Sequence, residues 1–184
     1  MSQITKRALG ASLKRLLTQK PLSKLTINDI TEACGVSRMT FYYHFQDIYD
    51  LVEWVCQEDA AQALADKKTY ACWQEGFLHI FQAVLENKLF VMNVYHSVSR
   101  EHIELYLHRM TRDLLIGVVE EQAQGLSVRE EDKEFIARLI QYVLVGTMLD
   151  WIKDDMKADP QLLVERLAQA MKGSIRSGLK NLTS

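Results

Sequence analysis

The chain has 184 residues, with 22 Lys/Arg against 24 Asp/Glu for a net charge of −2, and only two prolines and eight glycines, which excludes a collagenous or linker-rich chain and favours helices. Its three cysteines, Cys34, Cys56 and Cys72, form no CxxC pair, which argues against a disulfide framework or a zinc ribbon and for a reducing compartment. Lys6 and Arg7 are followed by no long apolar segment, and no apolar run approaches the roughly 20 residues that span a bilayer, so a cytoplasmic protein is expected. The charge is unevenly divided. Residues 1–49 carry seven cations (Lys6, Arg7, Lys14, Arg15, Lys20, Lys24, Arg38) against Asp29, Glu32 and Asp47, a net +4, leaving −6 on the remainder. A basic head on an acidic body fits a protein that meets nucleic acid, although a chance surface imbalance would look the same.

Apolar spacing predicts a first helix over Ile4–Gln19, with Leu9, Leu13, Leu16 and Leu17 on one stripe and Pro21 ending it. A solvated face is the expected role of Lys14 and Arg15. Thr26 followed three positions later by Asp29 opens a short helix with Ile27, Ile30 and Cys34 on its apolar side. Gly35 supplies the positive φ of a tight turn, and Ser37 caps a second short helix whose buried side carries Phe41 and Phe45. Two short helices joined by a glycine turn have the form of a helix-turn-helix. Its second helix exposes Arg38, Thr40, Tyr42, Tyr43 and His44, a set able to donate to base edges and phosphate oxygens.

The stretch Thr26–Phe45, TINDITEACGVSRMTFYYHF, resembles the helix-turn-helix of the TetR/AcrR family of bacterial transcriptional regulators. The resemblance covers roughly the first fifty residues and implies an all-α fold. A three-helix DNA-binding head over residues 1–49 would precede a larger helical domain for effector binding and dimerisation over residues 50–184. It implies that Arg38, Thr40 and Tyr42 meet base edges or nearby phosphates, while Thr26, Ser37, Tyr43 and His44 hold the DNA backbone. It also implies a basic residue near the start of the fourth helix, where this chain has Ile48.

Asp47 caps that fourth helix, with Ile48, Leu51, Val52 and Val55 inward, and Lys67–Ala71 reads as a break. Helices are then expected from Trp73 to about Asn87, over Leu89–Val94, and from about Ser99 to Gln124 with Gly125 as the stop. Ser127 and Glu130 suggest a capping box opening a helix to Lys153, and Asp159-Pro160 starts a last helix with Leu163, Leu167, Ala170 and Ser174 in line. The Glu130–Lys153 helix is apolar on two sides, with Phe135, Leu139, Tyr142, Gly146 and Leu149 on one and Ile136, Ile140 and Val143 on the other. It must therefore bury one side against its own core and one against something else. Gly146, Ala170, Ser174 and Gly178 add small residues suited to close packing between chains, or within one.

His96, His102 and His108 recur every six residues, so each step turns about 240° on a helix and they cannot share one metal ion. No metal motif, nucleophile elbow, P-loop or dinucleotide fingerprint is present, so neither a cofactor nor an enzyme is expected. The aromatics Trp73, Phe77, Phe81, Tyr106 and Tyr142 either line an effector pocket, as the resemblance implies, or form ordinary core. The leading expectation is a homodimeric regulator, a repressor by the commoner mode, that binds a palindromic operator in double-stranded DNA and responds to a small-molecule effector. The C-terminal part is also similar to the regulators of dihydroxyacetone kinase operons, which implies an effector sensed through a partner protein. A helical protein–protein adaptor is the alternative from a different class.

Overall fold

A computed structural model of the protein describes residues 2–63 and 73–183; the break expected at Lys67–Ala71 lies outside the described residues. Among the described residues every regular element is helical: α1 (Ser2–Leu17), α2 (Ile27–Cys34), α3 (Arg38–His44), α4 (Ile48–Ala63), α5 (Trp73–Glu86), α6 (Lys88–Ser97), α7 (Arg100–Ala123), α8 (Glu130–Lys153), α9 (Pro160–Ala170) and α10 (Ser174–Asn181), with a 3₁₀ turn at Leu22–Lys24. The chain divides into two compact units, Met1–Asp59 with Asn87–Ile103, and Ala60–Glu86 with Glu104–Ser184.

In the first unit α1, α2 and α3 pack on one another around Leu9, Leu13, Leu17, Ile30 and Phe41, all buried. Helix α4 is held to α1 by Arg7–Glu58 at 2.7 Å, by Lys14–Asp59 at 2.6 Å, and by Lys6 lying over the rings of Phe45 and Trp54. Lys14 is thus an ion-pair partner, not a member of a solvated face. Arg15 stays exposed, as expected, but also donates to the Ala33 carbonyl at 3.0 Å, satisfying an end group of α2. Gly10 is required here, because a Cβ would stand 2.9 Å from Val55 Cγ2. Helix α6 belongs to the same unit: Asn93 donates to the Leu17 carbonyl at 3.0 Å, and Lys14 lies 5.8 Å from the Phe90 ring centroid.

The Cys56 thiol is half-buried in this unit, and the hydration it loses there, reinforced by the Asp59 carboxylate, pushes its pKa from 9.0 up to about 12. The thiolate, which is the nucleophile, is therefore scarce at neutral pH. At pH 8 iodoacetamide should alkylate Cys56 far more slowly in the native protein than in urea-unfolded protein. Peptide mass spectrometry reads the difference, and native-state labelling at the unfolded rate would contradict the burial.

In the second unit α5 packs against α9 and α8 against α10. Phe77, Phe81 and Trp151 form an aromatic chain, with centroids 5.6 Å apart for Phe77–Phe81 and 4.9 Å for Phe81–Trp151. Gln141, buried on α8, donates to the His108 carbonyl and to Thr111 Oγ1, tying α8 to α7. Helix α8 does carry two apolar sides, but Val143 and Leu149 exchange the sides expected of them. Ile136, Ile140, Leu144, Val145, Met148 and Leu149 are buried, whereas Phe135, Leu139, Tyr142 and Val143 are 54, 47, 59 and 49 % exposed. This makes α8 apolar and long enough to cross a membrane by length and composition, with an 18-residue window of mean hydropathy 1.4. Its inner side is nevertheless core, packed against α10.

Three local expectations change. The capping box expected at Ser127 is absent: α8 begins after Arg129, whose side chain makes no cap bond and instead pairs with Glu131 and Asp132. The single last helix is two, because Gly173 adopts φ 74° after the end of α9 and breaks the line from Leu163 to Ser174. Gly178 packs within the chain, where a Cβ would lie 3.1 Å from Ile136 Cδ1, so its smallness serves α8–α10 contact rather than contact between chains.

Candidate nucleic-acid interface

The turn between α2 and α3 is built from local chemistry. Thr26 caps α2 with a full capping box: its Oγ1 accepts from the Asp29 N–H at 3.2 Å, and its own N–H donates to Asp29 Oδ2 at 2.8 Å. Thr31, buried beside Ile30, returns its hydroxyl to the Ile27 and Asn28 carbonyls. Gly35 closes α2 at φ 71°, and the Val36 N–H donates to the Thr31 carbonyl across it. Ser37 then starts α3, its Oγ accepting from the Thr40 N–H at 3.1 Å and lying 3.0 Å from the Thr40 hydroxyl.

Asp29 collects three donors on one oxygen: Lys20 at 2.7 Å, the Thr26 hydroxyl at 2.6 Å and the Thr26 N–H at 2.8 Å. Lys20 and then the Thr26 groups lower its pKa from 3.8 to about 2. A carboxylate with a depressed folded-state pKa stabilises the fold fully above its unfolded value, and that contribution is lost as pH falls through the folded value. The Asp29 contribution to head stability should therefore stay constant from pH 7 to about 4 and disappear between about 3.8 and 2. In Lys20→Met the folded value should lie closer to 3.8, so the loss should be smaller and complete at higher pH. Thermal melts followed across that range test it; identical acid profiles for the two proteins would refute the role of Lys20.

Because Phe41 and Phe45 are buried, the opposite side of α3 faces outward. Arg38, Met39, Tyr42 and Tyr43 are exposed, while Thr40 and His44 are half-buried on the flank. Arg38 Nη2 lies 3.5 Å from the Tyr42 hydroxyl, and its guanidinium stands 6.0 Å from the Tyr42 ring centroid, so Tyr42 steadies the cation. The Tyr43 ring meets His44 edge-on at 4.9 Å. Arg38, Thr40, Tyr42, Tyr43 and His44 thus share one short helix, with Ser37 at its cap. Thr26 stands apart at the start of α2 with both its donors committed to Asp29, so a phosphate contact from it requires the capping box to open. Met39, exposed as fully as Tyr43, carries no hydrogen-bonding donor, and a search for polar readers in the sequence passes over it. Its position opposite Phe41 was the available signal.

The aromatic set of the second unit is partly assembled. Trp73, Phe77 and Phe81 share α5, all buried, and Tyr106 is buried on α7. Tyr142 is at the surface, its ring 5.3 Å from His108. Among the described residues the buried Trp73 Nε1–H finds no hydrogen-bond acceptor. Two clefts lie elsewhere in this unit. One of about 70 Å³ is bounded by Arg112, Leu115, Ile116, Glu134, Ala137, Arg138 and Gln141. The other, an open groove of about 490 Å³, is bounded by Thr147, Asp150, Trp151, Asp154, Lys157, Ala158 and Leu163. Among the described residues no group of three or more His, Cys, Asp or Glu is placed to hold a metal ion.

Comparison with known proteins bears on both units. Residues 11–55 match the family described as bacterial regulatory proteins, tetR family, and residues 72–173 match one described as transcriptional regulator C-terminal region. The HTH-type dhaKLM operon transcriptional activator DhaS of Lactococcus lactis is 26 % identical over 139 residues, 74 % of this chain and 73 % of that protein. Among solved structures, the dihydroxyacetone kinase operon activator DhaS superposes with a TM-score of 0.72 at 20 % identity, covering 98 % of this chain and 99 % of that one. NalD, described as the secondary repressor of the MexAB-OprM multidrug efflux pump in Pseudomonas aeruginosa, superposes with a TM-score of 0.61 at 18 % identity, covering 93 and 96 %.

Proposed function

Since the chain belongs to the TetR family of bacterial transcriptional regulators, and is thereby a DNA-binding transcriptional regulator, we propose that it works as a homodimer on a palindromic operator and that a small-molecule effector releases it. Residues 1–49 are assigned to DNA and residues 50–184 to effector binding and dimerisation. The observation that carries the reading is α3: one side is sealed into the core by Phe41 and Phe45, while Arg38 and Tyr42, steadied together, face outward. Arg38 presents a planar fork suited to guanine O6 and N7, Thr40 and Tyr42 flank it, and Ser37, Tyr43 and His44 are near enough along the helix to hold phosphates. Thr26 joins them by exchanging its Asp29 bond for a phosphate.

A single seven-residue helix reads too few base pairs for specificity, and a twofold pair reads two half-sites one helical turn or a multiple apart. The outer face of α8, with Phe135, Leu139, Tyr142 and Val143, is the proposed dimer contact. The effector site is assigned to the buried aromatics Trp73, Phe77, Phe81 and Tyr106, where the unsatisfied Trp73 N–H calls for an acceptor. Tyr142 goes to the dimer face instead, because more than half of it is exposed. Both signs of regulation occur among the similar proteins, DhaS being named an activator and NalD a repressor; repression in the cytoplasm is the mode proposed here.

Selection from a random duplex pool at about 150 mM salt, where non-specific phosphate binding is weak, tests the reading. A palindrome should be enriched, and Arg38→Ala should lower affinity for it by about tenfold or more per half-site. A folded dimer that enriches nothing would favour the second reading, a regulator or adaptor that depends on a partner protein.

A further inference from the structure

The exposed part of α3 is ordered in rows. At about 100° per residue, Met39 and Tyr43 fall about 160° to either side of Phe41 and so straddle the line directly opposite the buried ring. Arg38 with Tyr42 lies on one flank of that line, and half-buried Thr40 with His44 on the other. Met39 and Tyr43, each 83 % exposed, are therefore the outermost side chains of the helix. An outward Met beside an outward aromatic ring, one turn apart on a seven-residue helix, is an apolar strip along its whole length. Nothing within the head requires it, since the core beneath is already closed by Phe41, Phe45 and Ile30.

A helix that enters the major groove with the side opposite Phe41 foremost carries this strip deepest, and Arg38 reaches the base edges from its flank. The groove edges of the bases offer donors, acceptors and one apolar group, the C5 methyl of thymine. We propose that Met39 seats against a thymine methyl in each operator half-site, with the Tyr43 ring as the adjoining wall, and so makes thymine a required base there. The occupant is duplex DNA, because the strip lies on a segment of net charge +4 and beside the Arg38 cation. The inference rests on the DNA-reading assignment of α3 and adds the base that its apolar row selects. The Tyr43 hydroxyl, at the end of the ring, stays free for a phosphate.

Deoxyuridine pairs as thymine does but lacks the methyl, so it isolates this contact. In the selected operator each thymine is replaced singly by deoxyuridine, and affinity is measured by fluorescence anisotropy for the wild type, Met39→Ala and Met39→Leu. Wild type and Met39→Leu should lose about fourfold at one thymine per half-site, the effect of exposing one buried methyl. Met39→Ala should show the same affinity for both duplexes. An operator with no deoxyuridine-sensitive position, or equal sensitivity in Met39→Ala, overturns the inference while leaving the DNA-reading assignment intact. Failure to enrich any operator removes both. A change in oligomeric state on Met39→Ala would make the strip a contact between protein chains and would also overturn it. Circular dichroism confirms that each variant is helical before affinities are compared.

Discussion

Replacing Phe41 by Ala should melt the head of this protein. Phe41 is fully buried, meets Tyr42 edge-on at 5.8 Å and Phe45 at 5.9 Å, and Phe45 in turn meets Trp54 at 5.9 Å. Deleting such a ring costs about 3–5 kcal/mol, from lost transfer free energy and from a cavity that short helices close poorly. Small domains have about 5–15 kcal/mol in total, so the loss removes a large share of the stability of the first unit. In thermal denaturation the transition should fall by more than about 10 °C, and amide exchange in α2 and α3 should accelerate together. Tyr43→Ala is the control: 83 % exposed on the opposite side of the same helix, it should change stability by no more than about 0.5 kcal/mol. A Phe41→Ala protein with unchanged α3 exchange would mean that the ring does not hold the helix in place.

Replacing Leu139 by Asp should separate the protomers and abolish operator binding without touching the head. Phe135, Leu139, Tyr142 and Val143 fall at i, i+4, i+7 and i+8, one continuous face of α8, and all four are about half exposed or more. Gly146, next along the same face, has nothing within 4 Å of an added Cβ, which leaves room for close approach. A carboxylate in the middle of a buried apolar contact loses its hydration without a partner, at a cost of several kcal/mol on each side of a twofold axis. Sedimentation should therefore find the wild type at twice the chain mass of 21.2 kDa and Leu139→Asp at 21.2 kDa, with helicity retained. Because Leu139 does not reach the inner core, a folded monomer is the expected product. A Leu139→Asp protein that remains dimeric would remove this face from the proposed interface.

The head was legible from residues alone because its determinants are local. The Thr26–Asp29 box, the left-handed Gly35 and the Ser37 cap each act over five residues or fewer, and each took the conformation that its chemistry favours. Phe41 and Phe45, four apart on a seven-residue helix, also dictate which residues of α3 remain outside. That α8 has two apolar sides could likewise be read from periodicity, although periodicity puts Val143 and Leu149 on the wrong ones. Which side faced solvent could not be, because that depends on where α7 and α10 lie.

Tertiary structure decided the rest. Lys14 and Arg15 are indistinguishable from solvated cations in a sequence window; Asp59 and the Ala33 carbonyl, distant in sequence, turn them into ties to α4 and α2. Gly178 looks like a contact between chains until Ile136 is found against it, and α9 and α10 look like one helix until Gly173 turns left-handed. Phe77, Phe81 and Tyr142 are alike as candidate pocket aromatics in the sequence, yet the fold buries the first two on α5 and leaves Tyr142 on the outer side of α8. Capping, turn formation and helical periodicity are set by neighbours within about four residues, and so the chain determined them by itself. Ion pairing, burial and the choice of outer face are set by groups brought together from distant parts of the chain, and only the folded arrangement supplies those partners.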